Sequence, residues 1–319
     1  MYTYEMLEKD IFALKDMFPF VEIGVAGKSV MRKSLYYLKL GRGEHKVFYN
    51  ATHHASEWLN APMLMEFAKQ FAQAYADNTQ LAGANVLKLW KYSSIYIIPM
   101  VNPDGVDLVF DEQRENAFWN ANIRGVDLNR NYPANWLKGK AQEQELGIEG
   151  PGPTRFGGEY ELSEPETKAL VKFTRQYDFQ LVLAYHSQGR EIYWQYLDLA
   201  PENAKAIGEK LAEVSGYKLD INPAEASFAG YKDWFIEEFG RPGFTVETGL
   251  GENPLPSEQL QEILNENMPI LLMAADANLL NVTNEANEAS KADEAIEVNE
   301  ANEANEVNEV NEVNEASLS

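Results

Sequence analysis

The amino-acid sequence predicts an α/β fold: a single domain with a mixed, mostly parallel, twisted sheet flanked by helices, followed by a disordered acidic tail. Three observations predict it. Strand-like and helix-like segments alternate along residues 1–282, the order that produces a sheet with helices packed on it. The strand-like runs are apolar without a regular polar face, as strands covered on both sides are. Residues 283–319 then change character, into repeats of Asn-Glu-Ala and Asn-Glu-Val.

The elements follow in order. The opening "YTYEMLEKDIFALKDMF" spaces its apolar residues for a helix and stops before Pro19, because the residue preceding a proline is pushed out of the helical region. "SLYYLKL", "KVFYNA", "SIYIIPMV", "QLVLAYH" and "PGFTVET" are short runs rich in β-branched and aromatic residues and read as strands. Helical spacing covers 57–75, 163–177, 201–215 and 256–280. "SEPE" at 163–166 reads as a capping box with Pro165 in the first turn. The stretch 132–162 is long and rich in glycine and proline, and reads as a loop that is either functional or disordered. The tail's period of three fits neither strand nor helix, its small residues bury little area and its acids repel one another. It is assigned as a separate disordered segment, 283–319, behind a folded domain at 1–282.

Composition excludes several function classes. With 45% apolar and 12% aromatic residues, the chain can build a substantial core. The absence of cysteine removes thiol catalysis, thiolate metal sites and disulfides. No apolar run approaches the ~20 residues of a membrane span, so no membrane insertion is expected. The N-terminus has neither the basic start nor the continuous apolar stretch of a secretory signal. A cytoplasmic location is expected, with cell-wall association after lysis or non-classical release as the alternative. Ten of the 23 net negative charges fall in the tail, and no basic stripe is present, so nucleic acid is not expected as a partner. The sequence assigns no oligomeric state.

The polar residues fall at strand ends. "KVFYNA" runs into His53, His54 and Glu57; "SIYIIPMV" into Asn102-Pro103-Asp104-Gly105; "LVLAY" into His186; "GFTV" into Glu247. In open α/β sheets ligands bind beyond the carboxyl ends of the strands, so four strands deliver metal-type or acid/base residues to one edge. Two imidazoles and a carboxylate are the ligand set of an open hydrolytic zinc site, with the fourth position left to water or substrate. The chain has four histidines. His53 and His54 are equivalent by count, and the HxxE spacing to Glu57 selects His54. His45, in a charged hairpin-like stretch, reads as a surface residue. Glu247 ends an apolar strand, where a buried carboxylate is costly unless it is paired. Other motifs fail: "GVAGKSV" has Glu22 where a phosphate loop needs glycine, "GRGEHK" lacks the third glycine of a dinucleotide fingerprint, and neither GxSxG nor HExxH occurs.

From about residue 20 to 280 the chain resembles the zinc carboxypeptidase family. The matching pieces, in order, are "HHASEW", "NPDG", "GVDLNRNYP", "SEPET", "YHSQG" and "FTVETG". "YTYEMLEKDI", "GKSV", "FAGYKDWFIEEFGRPGFTVETG" and "GENPLP" are similar to the branch of bacterial γ-D-glutamyl-L-diamino acid endopeptidases. The resemblance implies a zinc carboxypeptidase-like fold and one zinc ion per chain, held by His54, Glu57 and His186. It implies Glu247 as general base and Asn129 and Arg130 as the grip on a substrate carboxylate.

Two departures matter. The direct alignment puts Asn120 where the family has its oxyanion arginine, with Arg124 or Arg114 in reach as substitutes. The family's mobile tyrosine falls near Ala224, and Tyr231, close in sequence, is expected to point elsewhere. Lys232 occupies a specificity-pocket position and is expected to face a substrate carboxylate. These departures favour altered substrate recognition over strict carboxypeptidase action. The implied function is hydrolysis of the γ-D-glutamyl–meso-diaminopimelate bond in peptidoglycan (murein) stem peptides. The competing readings are a general metallocarboxypeptidase, an amino-acid deacylase of related fold, and an inactive cell-wall-peptide binding module.

Overall fold

The computed structural model describes residues 1–111, 118–223 and 228–282. The described strands are β1 (Glu22–Lys28), β2 (Ser34–Gly41), β3 (His45–Ala51), β4 (Gln80–Leu81), β5 (Ala84–Asn85), β6 (Ser93–Ile98), β7 (Leu181–Ser187), β8 (Glu191–Tyr193), β9 (Lys218–Asp220) and β10 (Gly243–Thr248). The α-helices are α1 (Tyr4–Met17), α2 (Asn60–Ala76), α3 (Val86–Tyr92), α4 (Pro103–Val109), α5 (Trp136–Glu145), α6 (Pro165–Tyr177), α7 (Ala204–Ser215), α8 (Tyr231–Phe239) and α9 (Leu260–Ala274).

Eight strands form one sheet in the order β1-β2-β6-β3-β7-β10-β8-β9. The centre, β6-β3-β7-β10, is wholly parallel. The outer pairs β1–β2, β2–β6 and β10–β8 are antiparallel, and β8–β9 is parallel again. The five strands expected from sequence are all present: four of them make up this centre, and the fifth is β2 beside it. Helices cover both faces, and β3 shows how one strand serves two layers. Phe48 joins the core cluster with Phe173 of α6 and Trp234 of α8. The next residue, Tyr49, points the other way: its ring lies 6.2 Å from Phe67 of α2, and its hydroxyl donates to the Leu271 carbonyl of α9 at 2.7 Å. Successive strand residues face opposite sides, so an unbroken apolar run is what two helical layers require.

Three expectations are corrected here. His45 opens β3 and is 8% exposed, with Nε2 3.3 Å from the Ala274 carbonyl. The capping box at 163–166 does not form, because Glu164 is the N-cap of α6. Ser163 Oγ donates instead to Glu164 Oε1 at 2.9 Å, and Asn122 Nδ2 holds the other oxygen of that carboxylate at 2.8 Å. The stretch 132–162 contains α5, a polar helix that buries only Gly139 and Glu143 and so carries no apolar period to read. Met1–Asn281 form one compact unit. The tail assigned as disordered, 283–319, lies outside the described residues, as do Arg114 and Ala224. No described helix is long and apolar enough to cross a membrane.

Candidate metal centre and its cleft

Behind β3 the chain turns sharply. Thr52 adopts φ 63°, a left-handed conformation that costs a β-branched residue on the order of 1–3 kcal/mol. Its hydroxyl donates to the Pro99 carbonyl at 3.2 Å. Asn102, the N-cap of α4, clamps the turn: Nδ2 donates to the carbonyls of His53 and Ala121, each at 3.0 Å, and Oδ1 accepts from the Gly105 amide at 3.0 Å. A Cβ on Gly105 would lie 2.6 Å from the Ala121 carbonyl oxygen and 2.7 Å from Asn102 Oδ1, so this clamp needs glycine. Asp104 turns away from the sheet edge and accepts from the Met31 amide at 2.8 Å. "NPDG" therefore holds the histidine loop in place and supplies no group to the centre.

The turn delivers His54 and then a short 3₁₀ segment, Ala55–Glu57. Glu57 stands between the two histidines: Oε1 is 2.9 Å from His54 Nδ1, and Oε2 is 2.9 Å from His186 Nδ1. One ligand atom from each of the three residues lies within 4.8 Å of the others. Two nitrogens and a carboxylate, convergent and with no fourth protein ligand among the described residues, form a donor set that fits a zinc ion with an open position. His54 Nε2 is 3.1 Å from Asp127 Oδ1, the carboxylate–histidine support that fixes a metal-binding imidazole. His53 is not in the cluster. It is fully buried, with Nε2 2.9 Å from the Tyr132 hydroxyl, and its ring stacks at 22° on His186. The HxxE choice of His54 over His53 agrees with this geometry.

Burial penalises the charge on Glu57, yet the two imidazoles hold its carboxyl down at about 2. Burial also opposes protonation of His54, but Glu57 and Asp127 keep that imidazole well above its ordinary value. Glu247 lies in β10, its Cα paired in parallel register with His186. Burial, followed by the charge of Glu57, pushes its carboxyl well above the usual range. The sheet thus places one readily protonated carboxyl beside a charged ligand cluster, and opposite protonation preferences of this kind suit acid/base work.

The remaining expected residues divide. Asn120 lines a cleft of about 530 Å³ together with Glu247, Ser56, Tyr193 and Asn253, and Ser56 Oγ donates to its Oδ1. Asn129 and Arg130 sit on a 3₁₀ turn, Leu128–Arg130, directly after Asp127. Asn129 Oδ1 accepts from the Tyr231 amide at 2.9 Å, and Arg130 Nε is 3.9 Å from Asp127 Oδ2. Arg124 is half exposed and turned toward Glu164, 3.5 Å away. Lys232 is 2% exposed: its Nζ donates to the Gln195 carbonyl at 2.5 Å and lies 2.6 Å from Asp233 Oδ1. Neither Arg124 nor Lys232 lines the cleft that holds Glu247. Tyr231 points into the core, its hydroxyl 2.9 Å from Thr174 Oγ1. Asp127 escaped the sequence reading, although the "GVDLNRN" motif contains it. So did Asn253, which exchanges hydrogen bonds of 2.6 and 2.8 Å with Ser187 at the end of β7.

Comparisons with known proteins agree with this geometry. The sequence model of the zinc carboxypeptidase family matches residues 7–270. A γ-D-glutamyl-L-diamino acid endopeptidase of Lysinibacillus sphaericus is 38% identical over 288 residues, covering 85% of this chain and 71% of that protein. An uncharacterised protein of Bacillus subtilis (strain 168) is 37% identical over 297 residues, covering 86% and 77%. Among solved structures, bovine thrombin-activatable fibrinolysis inhibitor superposes with a TM-score of 0.73 at 21% identity, covering 88% of this chain and 99% of the other. The murein-tripeptide amidase of Escherichia coli O157 gives 0.56 at 20% identity, covering 79% and 91%. These two likenesses establish the fold.

Proposed function

Because this chain belongs to the zinc carboxypeptidase family, we propose that it hydrolyses the γ-D-glutamyl–meso-diaminopimelate bond of peptidoglycan stem peptides. The observation that carries the finer part is its similarity to the Lysinibacillus sphaericus endopeptidase across most of both chains. His54, Glu57 and His186 would hold the zinc ion, their converging atoms already arranged as its donor set. When bound, zinc polarises the scissile carbonyl and acidifies a water.

The chain's own residues do the rest. Glu247 takes the proton of the attacking water and hands it to the leaving amine; its raised affinity for protons suits both halves of that transfer. Asp127 keeps His54 in one tautomer and orientation through Nε2. Arg130 and Asn129 grip the carboxylate next to the scissile bond, where a planar guanidinium binds two oxygens at once. Asn120 offers its amide N–H to the developing oxyanion, because Ser56 occupies its oxygen and leaves Nδ2 as the donor. Arg124, drawn to Glu164, and Lys232, whose Nζ has two protein acceptors, are not needed in this scheme.

The test is mass spectrometry of products from L-Ala-γ-D-Glu-meso-diaminopimelate incubated with the zinc-loaded protein. The expected products are L-Ala-D-Glu and free diaminopimelate, lost on chelation and restored by zinc. Equal release of C-terminal residues from unrelated peptides would overturn the proposal in favour of a general metallocarboxypeptidase.

A further inference from the structure

Beside Glu247 stands a polar pair that this mechanism leaves unused: Tyr193, which lines the cleft, and Glu191, which holds its hydroxyl. β8 runs antiparallel to β10 and sets Glu191 opposite Glu247 and Tyr193 opposite Thr245. Cross-strand partners share a face, as do residues two apart along a strand, so Glu191, Tyr193 and Glu247 stand on the same side of the sheet. Tyr193 lines the cleft with Glu247 and Asn120. Its hydroxyl donates to Glu191 Oε2 at 2.6 Å.

Two carboxyl groups directly across a strand pair disfavour being charged together, and Glu247 is the one pushed toward its protonated form. The phenol gives Glu191 a hydrogen bond but cancels no charge. The described residues lining the cleft include Glu247 and Glu252, and no lysine or arginine. The side of the cleft bounded by β8 therefore offers carboxyl oxygens and, among its described lining residues, no cationic side chain. Because the Tyr193 proton is committed to Glu191, the phenol oxygen meets the cleft as an acceptor. A substrate carbonyl or carboxylate finds no donor there, whereas an ammonium finds an acceptor backed by a carboxylate, and bonds that involve a charged group are the stronger kind.

We propose that Tyr193, oriented by Glu191, is a specificity-determining acceptor for a cationic N–H group of the substrate. Resting on the function proposed above, that group is the free ammonium at the distal end of the diamino acid. Glu191 is a positioning residue that fixes which way the phenol donates.

The experiment compares zinc-loaded wild type, Tyr193→Phe and Glu191→Gln on two tripeptides. One carries the free distal ammonium and the other has that amine acetylated. Wild type is expected to favour the free ammonium, and each variant to shrink the ratio of the two kcat/KM values roughly tenfold, through KM rather than kcat. Zinc content and thermal midpoint are measured alongside; if Tyr193→Phe fails to fold, the near-isosteric Glu191→Gln decides. A wild type that cuts the tripeptide without preferring the free ammonium overturns this inference and leaves the proposed function standing. So does a preference that both variants keep. A wild type that cuts neither tripeptide, or cuts at another bond, overturns the proposed function itself and with it this assignment.

Discussion

Glu247, partly buried, and Asp127, buried, are carboxylates that share the imidazole of His54, and their surroundings push them in opposite directions. Glu247 is pushed toward the protonated form by burial and the charge of Glu57. Burial opposes the charge on Asp127, but His54 and Arg130 hold it in the charged form. The two should fail differently when neutralised. Glu247→Gln should lower kcat/KM by about 10²- to 10⁴-fold while the protein keeps its zinc. Asp127→Asn should weaken zinc binding by about 10- to 100-fold, measured by competition with a chromophoric chelator. If Glu247→Gln loses the metal instead, the division between ligand and base is wrong.

Among the helices, α6 carries a testable electrostatic feature. Glu166, in its first turn, is fully buried. Its Oε1 accepts from the Val30 amide at 2.9 Å, tying α6 to the segment that precedes β2. Burial, with smaller contributions from Asp104 and Glu164, raises its pKa from 4.5 to about 7. The folded protein therefore binds a proton between those two values that the unfolded chain releases. By linkage this group's contribution to stability is fully present below 4.5, falls as pH rises and levels off above about 7. The total is at most about 3 kcal/mol. Glu166→Gln, which keeps the acceptor for Val30, should remove that fall. Denaturant midpoints of the two proteins at pH 5 and pH 8, in excess zinc, measure it. An unchanged difference between wild type and variant across that range would show that Glu166 stays charged. The sequence marked this residue only as part of a capping box, because burial of a first-turn carboxylate depends on a loop some 136 positions away.

On the scale of the whole molecule, three distant stretches meet at one edge of the sheet. His186 and Glu57 are 129 positions apart in the chain, so a ion held between them links the β3 and β7 ends of the fold. Chelation should lower the thermal midpoint, and added zinc should restore it. The stabilisation expected at a thousandfold excess over Kd is about 4 kcal/mol. Calorimetry with and without chelator checks this. A midpoint indifferent to zinc, at saturating metal, would mean that the native trio does not bind it.

By itself the sequence determined the fold class, the four strands of the sheet's centre with β2 beside them, and the meeting of His54, Glu57, His186 and Glu247 at the strand ends. Those were legible because side-chain type and apolar runs are local, and because the polar residues follow directly on buried strands. It did not determine the cap of α6, the existence of α5, the burial of His45, or Asp127 as the support of His54. α5 is polar and has no apolar period to read, and the other three depend on partners supplied from elsewhere in the chain: Asn122 for Glu164, the Ala274 carbonyl for His45, the β3 turn for Asp127. The tertiary structure also decided that Glu247 stands level with His186 and opposite Glu191. Strand register is a pairing between segments distant in sequence, fixed by which faces the helices cover, and no local pattern encodes it.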